Sequence, residues 1–131
     1  MPHITVEYSA NVADRHDVDA LVEVVHQAAI DFEIGAMAGM RTRAAPRLHF
    51  RVADGGSDLA FIAIIARVGP GRDPATKQSF IDHVLDRAQA QISGEGSNLA
   101  IAWSMEVQEI NADFRVNRNE VPDRLLQRPT A

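Results

Sequence analysis

The chain has 131 residues, of which 46% are hydrophobic and 24% charged, so it is too apolar for intrinsic disorder and of a size for one domain over residues 1–131. Thirteen basic residues against 18 acidic ones leave a net charge of −5, which argues against nucleic acid or an anionic membrane as partner. With no cysteine, the chain has no disulfide, thiolate nucleophile, iron–sulfur cluster or thiolate zinc site.

Every basic residue except Lys77 is arginine, so clustered cations here are planar, forked binders of carboxylate or phosphate. The opening residues have neither the basic nor the apolar part of a secretory leader, and no apolar run reaches membrane-spanning length. A cytoplasmic, soluble protein is expected.

Residues 2–8 alternate, with Ile4, Val6 and Tyr8 opposed to His3, Thr5 and Glu7, which predicts a strand with one buried face. Val18, Leu21, Val25, Ala28, Ala29 and Phe32 then recur at helical spacing, which predicts a helix over 15–32, broken by Gly35 to Gly39. Alternation returns in 41–53, where Leu48, Phe50 and Val52 oppose Arg47, His49 and Arg51, and a second strand is expected there. After the turn signal at Asp54-Gly55-Gly56, residues 59–68 are apolar on both faces apart from Arg67, a third strand that needs cover on both sides.

Asp73 is suited to cap a helix and Pro74 to its first position, and Ile81, Val84, Leu85, Ala88 and Ile92 carry that helix over 74–93. Leu99, Ile101, Trp103, Met105 and Val107 alternate in a fourth strand, 98–110. The remainder, 111–131, is a polar tail with one short helix near 120–126.

Two β-α-β units in succession place the chain in the α+β class. The expected fold is a four-stranded mixed sheet with both helices on one face, a core over 2–110 and the tail outside it. The other sheet face would then be bare and apolar at 59–68, and a second subunit packed there is the preferred cover, the tail being the alternative.

Pro2 is the first residue with possible chemistry. Removal of the initiator methionine, usual before a small residue, would leave a secondary amine at a strand start. Such an amine begins near pKa 8 and can be lowered by burial beside cations to become a proton shuttle. The plainer reading is a proline that merely begins a strand.

Arg41 and Arg43 share one side of their strand, and Arg72 precedes a helix N-terminus, a layout suited to a ligand with more than one carboxylate. Taken singly, each reads more readily as a solvated surface cation, as Arg47, Arg51 and Arg67 are read. Glu7, Glu106 and Glu109 are read as strand charges able to pair with arginine. The five histidines lack metal-ligand spacing, and no nucleophile elbow, phosphate loop or dinucleotide fingerprint is present, so neither metal nor cofactor is expected.

Met1-Pro2-His3, Val6-Glu7-x-Ser9-x-Asn11, Gly39-Met40-Arg41-Thr42-Arg43, Ala53-Asp54-Gly55, Ala60-Phe61-Ile62 and Gly71-Arg72 together resemble the 5-carboxymethyl-2-hydroxymuconate Δ-isomerase family of the tautomerase superfamily. The resemblance runs from residue 2 to about 110. It implies a homotrimer with Pro2 as catalytic acid/base and Arg41, Arg43 and Arg72 as substrate-binding residues. The implied reaction moves a double bond in a dicarboxylate or tricarboxylate of homoprotocatechuate (4-hydroxyphenylacetate) breakdown.

Three positions depart from the family pattern. Ala63 stands where a histidine is usual, Ala44 to Arg47 lack a tryptophan, and Asn119-Glu120 replaces an Asn-Asn pair. They keep open a tautomerase acting on another 2-hydroxydienoate or a phenylpyruvate-type enol. A non-catalytic trimeric binding module is the reading from a different class.

Overall fold

The computed structural model describes residues 2–129. Its strands are β1 (His3–Ser9), β2 (Arg41–Arg47), β3 (Leu59–Val68) and β4 (Ala100–Glu109), and its helices are α1 (Val18–Phe32), α2 (Pro74–Glu95) and α3 (Val121–Leu126). The sheet order is β2-β1-β3-β4, with β1 parallel to β2, β3 parallel to β4, and the central pair β1 and β3 antiparallel. Each β-α-β unit therefore supplies one parallel pair, and the two units join through their first strands.

The alternation read from the sequence sets the two faces. Ile4, Val6, Tyr8, Ala60, Ile62, Ile64, Ala66 and Val68 are buried against the helix layer, into which α1 sends Leu21, Val25, Ala28 and Ala29 and α2 sends Phe80, Val84, Ala88 and Ile92. Phe32 and Phe80 meet with ring centroids 5.4 Å apart, joining the two helices. On the outward face, Leu59, Phe61, Ala63 and Ile65 are half-buried in the single chain. The cover that β3 calls for on both sides is thus present in the single chain on the helix side, and its outward side stays half-exposed.

Several boundaries differ from the sequence reading, β4 among them at Ala100–Glu109 where 98–110 is expected. β2 ends at Arg47, not at 53, because its partner ends there: Ser9 pairs with Arg47 and the chain then turns into a 3₁₀ segment at Ala10–Asp14. Residues 48–58 form a loop instead, with Ala53 at φ 48° and the Phe50 ring against Phe61 at 6.5 Å. The same 3₁₀ segment delays α1 to Val18, where the Asp17 carboxylate accepts the Ala20 amide and caps the helix. α2 extends to Glu95 because Gly94 stays helical and the chain leaves the helix at Gly96, φ 68°.

Local polar ties knit the layers. The Ser9 hydroxyl accepts the Phe61 amide at 2.9 Å and the Asn11 amide nitrogen donates to the Leu59 carbonyl at 2.8 Å, which gives Ser9-x-Asn11 a structural role. Buried His16 pairs through Nδ1 with Glu95 at 2.8 Å and through Nε2 with the Ser97 hydroxyl at 2.7 Å, pinning the end of α2 to the start of α1. In the tail, Asn119 donates to the Ala38 carbonyl at 3.0 Å and its side-chain oxygen accepts the Val121 amide. The tail is less polar in effect than its composition suggests, for Phe114, Val116 and Leu126 are 90%, 81% and 86% exposed.

Candidate active site

The start of β1 carries Pro2, the first of the candidate residues. Because successive side chains alternate, Pro2 turns to the helix side and His3 to the open sheet face. The Pro2 ring is fully buried, and its carbonyl accepts the Arg41 amide at 3.2 Å, the rung that starts the β1–β2 ladder. Met1 lies outside the described residues.

Beside Pro2 the loop after α1 passes through Ile34 and Gly35 and meets the loop before α2. Arg72 bridges the two: its Nε and Nη2 donate to the Ile34 carbonyl and its Nη1 donates to the Gly69 carbonyl at 2.9 Å. Among the described residues, two of its five N–H groups have no partner. An open cleft of about 460 Å³ lies alongside, lined by Glu33, Ile34, Gly35, Pro70, Arg72 and Thr76. Its rim includes an unusual backbone, since Glu33 ends α1 in the left-handed region at φ 61°.

Arg41 and Arg43 are brought together, as the spacing implied, but on the open face with His3 and away from the Pro2 ring. Arg41 Nη1 lies 3.2 Å from His3 Nε2, and Arg43 Nη1 lies 3.2 Å from His3 Nδ1. Arg67 pairs with His3 across β1 and β3, and Arg115 adds its field. The four predicted residues thus fall into two groups on either side of one strand end, Pro2 with Arg72 and Arg41 with Arg43.

Burial, then Arg43 and Arg41, hold the His3 pKa below its ordinary 6.5, so the ring is neutral near pH 7. The histidine then binds fewer protons folded than unfolded. Its contribution to stability is complete above pH 6.5 and is lost as pH falls through the lower folded value. An NMR titration of the His3 ring is expected to give a midpoint below 6.5, and Arg43→Ala to move it upward.

His3 and Gly35 lie in this region and are not among the sequence-predicted site residues. His3 was legible, since alternation puts it on the face of Arg41 and Arg43; Gly35 had registered only as a helix breaker. Two other nearby cations are paired: Arg47 with Glu7 at 2.8 Å and Lys77 with Glu109 at 2.5 Å. Among the described residues no three His, Asp or Glu side chains gather as metal ligands, and no helix is long and apolar enough to cross a membrane.

The model of the family described as 5-carboxymethyl-2-hydroxymuconate isomerase matches residues 2–125. A 5-carboxymethyl-2-hydroxymuconate Delta-isomerase of Escherichia coli is 25% identical over 121 residues, covering 92% of this chain and 96% of that one. Among solved structures, a 5-carboxymethyl-2-hydroxymuconate isomerase from Deinococcus radiodurans R1 superposes with a TM-score of 0.83 at 21% identity, covering 95% of this chain and 93% of that one. A fused 4-OT symmetric trimer shares the fold at a TM-score of 0.63 and 14% identity, covering 88% of this chain and 93% of that one.

Proposed function

The chain belongs to the 5-carboxymethyl-2-hydroxymuconate isomerase family and is an isomerase of the tautomerase superfamily. On that premise we propose that it moves a double bond in 5-carboxymethyl-2-hydroxymuconate by proton transfer, in cytoplasmic homoprotocatechuate breakdown. Pro2, freed of Met1, takes the proton of the 2-hydroxyl and returns one at C5, so the 2-oxygen becomes a ketone, the double bonds shift by one position and no redox partner is needed. Arg72 on one side of the strand end and Arg41 with Arg43 on the other hold the carboxylates and stabilise charge on the 2-oxygen as it develops.

The observation that carries this reading is the buried Pro2 ring at the head of β1 with the Arg72 guanidinium fixed beside it. Two sets of guanidiniums flanking one strand end suit a ligand that bears carboxylates at both ends. A homotrimer fits the same reading. The outward face of β3 keeps Leu59, Phe61 and Ile65 half-exposed, three large apolar side chains of the tail lack cover in the single chain, and fused relatives of this fold are named as trimers.

Ultraviolet spectroscopy of the processed protein with the dienol is expected to show its conversion to the conjugated ketone well above the uncatalysed rate. No acceleration would refute the assignment. A higher kcat/KM on a phenylpyruvate-type enol would move the substrate to the second tautomerase reading, which Ala63 and Ala44 at two departing positions favour.

A further inference from the structure

We propose that Gly35 is a positioning residue of the Pro2 site, its bare Cα forming the seat that holds the Pro2 ring, and with it the amine, beside Arg72. The inference deepens the reading of Pro2 as the base and rests on it for its catalytic consequence. A Cβ built at Gly35 would stand 3.0 Å from Pro2 Cδ, 3.1 Å from Pro2 Cγ and 3.6 Å from Arg72 Nη2. Cδ is bonded directly to the amine nitrogen, so whatever touches it sets where the nitrogen lies.

The glycine is not there for its backbone. Gly35 does not occupy the left-handed region, unlike Gly71 at φ 112° and Gly96 at φ 68°, so alanine is free to take its conformation and would act through the contact alone. The neighbours have little room to give way. The Pro2 ring is fully buried and its carbonyl is tied to the Arg41 amide, while Arg72 is tied to the Ile34 and Gly69 carbonyls. A methyl at position 35 therefore pushes the ring, and the amine moves away from both the guanidinium and the cleft that Gly35 and Arg72 line.

The decisive experiment compares Gly35→Ala with Gly94→Ala, a helical glycine with nothing within 4 Å of its Cβ position. In Gly35→Ala, kcat should fall by roughly 10-fold with a smaller change in KM, the cost of a few tenths of an ångström of misplacement. The pH midpoint for acylation of the Pro2 amine by acetic anhydride, read by peptide mass, should rise as the amine leaves the cation. Gly94→Ala should change neither.

A thermal-melt cycle with Pro2→Ala, which removes Cγ and Cδ, supplies the second arm. Gly35→Ala should lower the melting temperature of the parent and leave that of the Pro2→Ala protein unchanged, and this holds even if the single variant is too unstable to assay. Unaltered acylation and kcat, or equal melting losses in both backgrounds, would overturn the role. Should the protein not isomerise the dienol at all, the acylation midpoint and the cycle still decide whether Gly35 positions the amine.

Discussion

Protein whose chain starts at Pro2 will isomerise the dienol, and the same protein with Met1 attached will be slower by about 10²- to 10⁴-fold, the usual worth of a positioned acid/base. The reason is electronic. In the processed chain Pro2 carries a secondary amine with a lone pair; with Met1 present the nitrogen is a tertiary amide, its lone pair is delocalised and no proton can be taken. The ring packing is common to both forms, since the contact with Gly35 and the ladder bond to Arg41 depend only on the ring and the carbonyl.

The two forms should therefore melt alike and differ in rate. Stopped-flow traces on preparations verified by intact mass make the comparison. Activity of the processed form should fall as pH drops through the amine pKa, since the protonated amine is no base. Pro2→Ala, with a primary amine in place of the ring, should retain a measurable part of the rate. Equal rates for the Met1 form and the processed form would remove Pro2 from the mechanism whatever the fold.

Much of the fold was legible because β1 and β3 bury every second side chain against the helices and β4 half-buries every second one. The alternation of Ile4, Val6 and Tyr8 and of Ile101, Trp103 and Met105 points to the helix layer where the structure puts it, and Asp73-Pro74 starts α2 where capping chemistry says it should. β2 was overextended because alternation in 48–53 reports local pattern alone, whereas a strand lasts only as long as its neighbour, and β1 ends at Ser9.

The site was half legible for the same reason. Arg41 and Arg43 could be placed on one face by counting, and His3 with them. What no spacing rule could tell is that Arg72 would turn back on two carbonyls contributed by Ile34 and by Gly69, because that bridge joins loops 38 residues apart. Gly35 was hidden more deeply still. Its value lies in an absent side chain, and absence has no periodicity.

Arg72→Ala and Arg41→Ala should separate two kinds of arginine that read alike in the sequence. Both should weaken turnover of the dicarboxylate by roughly 2–5 kcal/mol in kcat/KM if their carboxylate pairs are desolvated, and both should matter less for a monocarboxylate. Their effects on the fold should part. Arg41 lies on the open face with its guanidinium 3.2 Å from His3 Nε2, so its removal should leave stability within about 0.5 kcal/mol.

Arg72 holds two part-buried carbonyls, and its loss strips both of their donor, at a cost of about 1–3 kcal/mol in urea unfolding. Arg72→Lys sharpens the test. An ammonium keeps the charge beside Pro2 but cannot present a planar fork to two acceptors at once, so it should recover carboxylate binding in part while leaving most of the stability loss in place. An Arg72→Ala protein that melts and turns over the dicarboxylate like the parent would deny both roles together, because the same guanidinium is asked to shape the cleft wall and to meet the ligand across it.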